Sequence, residues 1–257
     1  MRIVHFSDWH WVFRSVPEAD LYVCTGDMYD NYPVREKPMD RLRMDGSYGW
    51  RISPENERQR QLSDAKHFVS EGGFRRFLGS PDAPILCVRG NHDFVDLAPL
   101  FEGCNLIHEF VNNEVVEVLG LRATGHRGIP YIYGSWNDEV DRDELLAKVK
   151  AMPVADLFLT HYAPGDNLDY EIMARGRKEE YGLKGMMEEI ERKVSVDDGE
   201  RIRDAVHMFG HIHGCGGQQK HRYVGDNGMQ VCYSNAACHR NEIRYDGEKP
   251  LRKEGAK

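Results

Sequence analysis

Asp8 and His10 are separated by one residue, and the same spacing recurs at His211 and His213. Alternate residues of an extended segment point to the same side, so each pair can direct two donor atoms towards one point. Carboxylates and imidazoles bind divalent cations, and they transfer protons when they lie beside a reacting group. The two pairs therefore indicate a metal site.

Further donors of this kind follow other apolar runs along the chain. Ligands of open α/β sheets bind at the carboxyl ends of the strands, so these donors are expected to meet at one edge of the sheet. Together they comprise two carboxylates, one amide and four imidazoles. The proposed metal ligands are Asp8, His10, Asp27, Asn91, His161, His211 and His213.

Seven donors exceed the four that a structural zinc site uses, and such sites favour cysteine. The set suits two metals about 3.5–4 Å apart, with one carboxylate bridging them. A mixture of nitrogen and oxygen donors favours Mn²⁺, with Fe and Zn²⁺ as alternatives, over Mg²⁺ and Ca²⁺. Glycines beside the donors allow the chain to turn sharply as it leaves each strand.

The elements that must position these donors are short strands alternating with helices. The apolar runs are three to five residues long and mostly β-branched or aromatic, which predicts buried strands. Helices are predicted near residues 58–78 and 141–152, and an amphipathic helix from Leu183 to Val194. This alternation predicts an α/β fold with some parallel strands, whereas residues 106–133 are expected to form antiparallel hairpins. The predicted strands are Ile3–Phe6, Leu21–Cys24, Ile85–Val88, Val115–Leu119, Leu157–Leu159, His207–Phe209 and Val231–Tyr233.

The length of 257 residues suits a single domain, predicted to span residues 1–245 and to be followed by a charged, fraying tail at 246–257. Residues 31–62 are predicted to be an irregular, net-basic insertion. The net charge of -8 argues against a protein that coats nucleic acid. The N-terminus lacks the apolar core of a signal peptide, no run reaches the roughly 18 apolar residues of a membrane span, and the six cysteines form no CxxC pair. A cytoplasmic protein with reduced thiols and no membrane partner is expected.

Five segments, SDWH, GDMYD, GNHD, THYAP and GHIHG, resemble the blocks of the calcineurin-like metallophosphoesterase superfamily. The resemblance extends from Asp8 to His213 and implies two mixed sheets packed as a sandwich and flanked by helices. It implies that Asp27 bridges the metals, that His92 faces the substrate and that Asp93 orients His92. The ligands implied for the first metal are Asp8, His10 and His213, and those for the second are Asn91, His161 and His211.

The sequence departs from the protein phosphatases of this superfamily, which carry GDxxDRG and GNHE. Here Asn31 follows Asp30, and the third block ends in Asp93. The chain looks more like the compact phosphodiesterase-type branch. The expected function is hydrolysis of phosphodiesters or phosphomonoesters of a small molecule or nucleotide by a metal-activated hydroxide. The alternatives are a nuclease acting on DNA or RNA, which is less favoured, a protein phosphatase and a non-catalytic metal-binding scaffold. The sequence predicts neither the natural substrate nor the oligomeric state.

Overall fold

Two large mixed β-sheets and three helices make up most of the structure, a computed structural model. It describes residues 1–30, 53–132, 136–172, 178–195, 204–224 and 229–245. The proposed tail and residues 31–52 of the proposed insertion lie outside these ranges. The strands are β1 (Arg2–Phe6), β2 (Leu21–Cys24), β3 (Pro84–Val88), β4 (Asn105–Phe110), β5 (Asn112–Val118), β6 (Leu121–His126), β7 (Ile129–Pro130), β8 (Glu139–Val140), β9 (Leu157–Thr160), β10 (Tyr170–Ile172), β11 (Lys178–Glu180), β12 (Ala205–Phe209), β13 (Gln218–Val224), β14 (Met229–Asn235) and β15 (Arg240–Arg244).

The first sheet has the strand order β15-β1-β2-β3-β4, and the second has the order β13-β14-β12-β9-β6-β5. Strands β1 to β4 pair in parallel, and so do β6, β9, β12 and β14. The outer pairings β1–β15, β13–β14 and β5–β6 are antiparallel. The expected pair of mixed sheets is thus confirmed.

Helix α1 (Pro54–Ser70) covers the first sheet, and α2 (Arg142–Ala151) and α3 (Met186–Ser195) cover the second. Helix α1 begins with a proline and carries acidic residues in its first turn, both of which favour a helix start. The Asp141 carboxylate accepts the Asp143 backbone N–H at 2.8 Å and so caps the start of α2. Met186, Met187 and Ile190 lie on the buried face of α3, as the helical spacing predicts.

The core consists of three apolar layers. The middle layer joins the inner faces of the two sheets and includes Val23 and Leu86 from the first sheet and Leu157 and Met208 from the second. The outer layers lie between each sheet and its helices. The two sheets are therefore packed face to face, with helices on both outer sides.

The sequence prediction is wrong in two places. Residues 106–133 were expected to form only antiparallel hairpins, but β4 pairs in parallel with β3 as an edge strand of the first sheet, and only β5 and β6 form a hairpin. The proposed insertion was expected to run to residue 62, but residues 54–62 belong to α1, where Glu57 and Gln61 are buried. Among the described helices, none has both the length and the apolar character needed to cross a bilayer.

Buried histidines in the strands make the stability of this fold sensitive to acid. Burial lowers the pKa of His207 in β12 to about 3, whereas a histidine in the unfolded chain titrates near about 6.5. The folded-state pKa is depressed, so this contribution to stability is complete above about pH 6.5 and is lost progressively as the pH falls towards 3.

We therefore expect the His207→Gln variant to lose less stability than the wild type between pH 7.5 and 5.5, by about 1 kcal/mol, because its side chain takes up no proton on unfolding. Urea unfolding of metal-free protein at both pH values measures this difference. The His67→Gln variant is a matched control, since the His67 side chain is 77% exposed. Equal losses in the wild type and His207→Gln would contradict the prediction.

Candidate metal centre

All seven proposed ligands lie in loops at the carboxyl ends of parallel strands. The first sheet contributes Asp8 and His10 after β1, Asp27 after β2 and Asn91 after β3; the second contributes His161 after β9, and His211 and His213 after β12. The structure brings them together where the ends of the two sheets meet.

One group of donors consists of Asp8, His10 and His213. The Nε2 atoms of His10 and His213 are 3.4 Å apart, and Nε2 of His213 lies 3.3 Å from Oδ1 of Asp8. The Asp8 carboxylate is buried, while the side chain of His213 is 45% exposed. This group is therefore open to solvent on the His213 side.

A second group surrounds the amide oxygen of Asn91. This Oδ1 atom lies 3.0 Å from Nε2 of His161 and 2.8 Å from Nδ1 of His211, and the two ring nitrogens are 3.2 Å apart. Oδ2 of Asp27 lies 3.3 Å from Nε2 of His161. Four donors thus converge from four different loops.

These separations fit metal coordination. Ligand atoms about 2.1 Å from a cation lie roughly 3.0–3.4 Å from one another at octahedral or tetrahedral angles. The donor–donor distances of 2.8–3.4 Å in both groups are close to this spacing. Each group also combines imidazole nitrogens with a carboxylate, a donor set that divalent transition metals accept.

The two groups are contiguous. Three sets of ligand atoms each fit within 4.8 Å, namely Asp8 with His10 and His213, His10 with Asp27 and His92, and Asp27 with His161 and His211. Asp27 therefore belongs to the third set and, together with His10, to the middle set that links the third set to the first. This position is the one that a bridging carboxylate would occupy.

Several ligands have a backbone conformation that is unusual for residues other than glycine. Asp8, His10, Asp27 and His211 have φ values of 56°, 42°, 52° and 66°. Such left-handed conformations cost energy and persist only where the surroundings enforce them. Here the Asp8 N–H donates to Gly26 O at 2.9 Å, and the His10 N–H donates to Asp27 O at 3.0 Å. The loops after β1 and β2 therefore hold each other in place.

Asp93 anchors the loops that carry Asp27 and Asn91. Its buried carboxylate accepts the backbone N–H groups of Asp27, Met28, Tyr29 and Gly90 at 2.7–3.0 Å. These contacts show a role in fixing the backbone. The predicted role of orienting His92 stays a prediction.

The loops approach so closely that a side chain has no room at Gly90. A Cβ atom there would lie 2.6 Å from the backbone nitrogen of Asp27 and from Cε1 of His161. Real Cβ contacts of this length essentially do not occur, and both neighbours are held in place by their own hydrogen bonds. Glycine at this position is therefore a requirement of the metal centre rather than of the turn alone.

The ionisation of the donors is coupled. Burial raises the pKa of the Asp27 carboxyl, but His161 and His92 outweigh burial and hold this pKa well below its ordinary value. Burial lowers the pKa of His161, yet Asp27 and Asp8 raise it to about 9. Burial, together with the charge on His161, lowers the pKa of His211 to about 3. Because metals bind the neutral imidazole, a metal at this group would displace a proton from the His161 ring.

His92 lies beside the proposed ligands with its ring between two other rings. The centroid of its ring is 4.6 Å from that of His10 and 4.4 Å from that of Trp136. The His92 backbone N–H donates to Oδ1 of Asp27 at 2.7 Å, which ties its position to the metal centre. The structure thus places His92 beside the proposed ligands, and its predicted role of facing the substrate stays a prediction.

Sequence reasoning missed three residues that support the ligands. Trp136 packs on His92, and Sγ of Cys238 lies 3.4 Å from Nδ1 of His213. The Asn235 side chain donates to the carbonyls of Leu168 and Ile212 at 3.1 and 3.0 Å, next to the loop that carries His211 and His213. Asn235 and Cys238 lie in the polar segment that follows the predicted strand Val231–Tyr233, as the proposed ligands follow theirs, and this was a usable signal; Trp136 had none.

Comparisons with known proteins agree with this geometry. The family model described as calcineurin-like phosphoesterase matches residues 1–215, which include all seven proposed ligands. A solved crystal structure superposes with a TM-score of 0.54 at 12% sequence identity, covering 90% of this chain and 88% of that chain, which indicates a shared fold. No curated protein matches the sequence significantly.

The arrangement predicts how single substitutions change metal content. We expect Asp27→Asn to weaken both metal positions, because Asp27 clusters with His10 of the first group as well as with His161 and His211 of the second, and His213→Ala to weaken mainly one. Elemental analysis after loading with Mn²⁺ should give two metals per chain for the wild type, fewer than one for Asp27→Asn and close to one for His213→Ala. The His67→Ala variant should match the wild type. A maximum of one metal in the fully active wild type would contradict the two-metal arrangement.

Proposed function

The chain belongs to the calcineurin-like phosphoesterase family, and from this premise we propose that it hydrolyses phosphodiester or phosphomonoester bonds of a small molecule or nucleotide at a two-metal centre. The family supports a metal-dependent phosphoesterase in general. The observation that carries the finer proposal is that Asp27 clusters with His10 of the first group as well as with His161 and His211 of the second. A single ion would use only one of these groups.

In this proposal each residue keeps the role that the resemblance implied. Asp8, His10 and His213 would hold the first ion, Asn91, His161 and His211 would hold the second, and Asp27 would contribute its carboxylate to both. When bound, the two ions supply a nucleophilic water of lowered pKa and neutralise charge on the phosphoryl oxygens. Mn²⁺ is the favoured metal for a donor set of mixed nitrogen and oxygen, with Fe and Zn²⁺ as alternatives.

Contacts to the Nδ1 atoms of two histidines, His161 and His213, fix the orientation of their rings. Nδ1 of His161 donates to the backbone carbonyl of Thr25 at 2.7 Å, which leaves Nε2 as the atom directed at Asp27 and Asn91. The contact of Nδ1 of His213 with Cys238 likewise leaves its Nε2 directed at Asp8. Partners of this kind fix the tautomer and ring position of a metal-binding histidine.

His92 is the proposed acid or hydrogen-bond donor of the reaction. Burial lowers its pKa, and the carboxylate of Asp27 acts in the opposite direction. An approaching phosphate, being anionic, also favours the protonated ring. His92 can then protonate the leaving oxygen or donate its N–H to a phosphoryl oxygen.

Ligand residues, net charge and the residues after the second block distinguish the competing functions. Loss of ligand residues would favour the non-catalytic scaffold, yet all seven positions carry metal-binding side chains. A nuclease favours a basic surface, yet the net charge is -8. A protein phosphatase of this superfamily carries Arg-Gly after the second block, where this chain has Asn31-Tyr32. The small-molecule or nucleotide esterase therefore remains the favoured proposal.

A substrate panel with the Mn²⁺-loaded protein tests the proposed function. The panel comprises 4-nitrophenyl phosphate, bis(4-nitrophenyl) phosphate, 2′,3′- and 3′,5′-cyclic nucleotides, and a short single-stranded DNA. Turnover of at least one small ester, lost on chelation and restored by Mn²⁺, is expected. Activity on DNA alone would favour the nuclease, and no turnover of any ester under these conditions would contradict the proposal.

Substitution of His92 separates its two chemical roles. We expect His92→Ala to retain both metals but to lose about 10²–10⁴-fold in kcat, the usual contribution of general acid–base catalysis. If His92 protonates the leaving group, the loss is smaller for a 4-nitrophenyl ester than for an alkyl ester, because nitrophenolate needs little protonation. Equal losses for both esters would exclude the acid role, and unchanged kcat values would remove His92 from the mechanism.

A further inference from the structure

A cavity of about 420 Å³ opens beside the metal centre, with His211 among its lining residues. It lies between the segment after β7, the start of α2 and the loop after β9. A cavity of this size is in the range that holds a small organic ligand. Because His211 is a proposed ligand of the second metal, a group attached to the phosphorus atom can extend directly into this cavity.

The walls of the cavity are mainly aromatic and aliphatic. Tyr131, Ile132, Tyr162 and Tyr181 line it. The Tyr162 ring lies 4.8 Å from the His211 ring, centroid to centroid, so the aromatic wall reaches the metal centre itself. Tyr131 and Ile132 are 63% and 45% exposed. Removing such apolar surface from water is energetically favourable. A planar, weakly polar ligand would cover these two side chains.

Two charged side chains also line the cavity and disfavour a purely aliphatic occupant. Arg142, the first residue of α2, contributes a guanidinium group, whereas the Tyr162 hydroxyl donates to the Tyr181 carbonyl at 2.5 Å. The Glu171 carboxylate accepts the Gly214 N–H at 2.9 Å, which holds it next to the loop that carries His213. One donor group and one acceptor group on an aromatic wall suit a base or sugar with both kinds of polar edge.

We propose that the phosphoester substrate carries a nucleoside, and that this cavity binds it, with the base against the tyrosines and its polar edge or the ribose near Arg142 and Glu171. This inference rests on the proposed function for the placement of the phosphate at the metals. It commits to the nucleotide class among the small esters named above. A free nucleotide and the end of a nucleic acid share this chemistry.

A binding measurement tests the cavity independently of hydrolysis. The ligands are adenosine 5′-methylenephosphonate, whose P–C bond this chemistry does not cleave, and methylphosphonate, which lacks the nucleoside. Isothermal titration of the Mn²⁺-loaded protein should give a Kd for the nucleoside ligand lower by about tenfold or more, the usual effect of stacking one base. Equal affinity for the two phosphonates would overturn the inference.

Substitutions in the cavity wall test whether the tighter binding of the nucleoside ligand arises in the cavity. The double substitution Tyr131→Ser with Ile132→Ser removes exposed side chains only, and the backbone N–H of Tyr131 keeps its bond to Val140 O at 2.7 Å. It should abolish most of the preference for the nucleoside ligand. Tyr223→Ser is the matched control, since Tyr223 is 68% exposed on β13 and does not line the cavity. A preference unchanged in the double variant would also overturn the proposal.

Hydrolysis distinguishes failure of this inference from failure of the proposed function. The substrates are thymidine 5′-(4-nitrophenyl) phosphate and methyl 4-nitrophenyl phosphate, which share a leaving group. A higher kcat/KM for the nucleoside ester, reduced in the double variant, supports both proposals. Equal values for the two esters would overturn the inference and leave the proposed function standing. Hydrolysis of neither diester and no turnover of 4-nitrophenyl phosphate, with preferential binding of the nucleoside phosphonate, would overturn only the proposed function.

A third substrate identifies the source of the nucleoside. A short single-stranded oligonucleotide cleaved with a kcat/KM similar to that of the thymidine ester would support the end of a nucleic acid. Cleavage of the thymidine ester alone would support a free nucleotide. Both results support a nucleoside in the cavity, and cleavage of the oligonucleotide that the double variant does not affect would count against it.

Discussion

The face-to-face packing of the two sheets fixes the separation between the proposed metal ligands of one sheet and those of the other. Asp8, Asp27 and Asn91 follow strands of one sheet, whereas His161 and His211 follow strands of the other. No local segment of the chain can therefore set the separation between the carboxylates and the opposing imidazoles. The apolar layer between the sheets sets it, because a close-packed core resists small changes in spacing. Metal ligands and catalytic groups need positions held to within about 0.5 Å.

Hydrogen bonds at the carboxyl ends of the strands complete this positioning. Both oxygens of the Asp8 carboxylate lie 3.0 Å from the His211 N–H, so a proposed ligand from one sheet holds the loop of the other. The Asp93 carboxylate likewise holds together two loops of the first sheet, those after β2 and β3. These bonds offset the cost of the left-handed backbone at Asp8 and His211. The left-handed backbone thus occurs where the chain turns out of a strand to present a donor, and hydrogen bonds from neighbouring loops maintain it.

The sequence was sufficient to predict the donors because each signal is local. Asp8 with His10 and His211 with His213 are visible as short motifs, and each follows an apolar run that reads as a strand. The parallel pairing of β4 was not predictable in this way, since residues 105–110 have the composition of a hairpin strand and their partner β3 lies about twenty residues earlier. Trp136 packs on His92 across forty-four residues of sequence, and the aromatic cavity gathers side chains from several loops. Such contacts arise only from the tertiary fold.

Two buried carboxylates at this site require positive charge nearby, from protonated histidines or from metal ions. Asp8 and Asp27 are 1% and 2% exposed, and isolated buried charges are costly. His161 lies 3.3 Å from Asp27 and His213 lies 3.3 Å from Asp8, so each imidazole offsets the neighbouring charge when it is protonated. Two divalent ions at the same atoms would displace such protons and more than neutralise the two carboxylates. The loaded centre would then be locally positive in a chain of net charge -8, which attracts an anionic phosphate to this edge of the sheets.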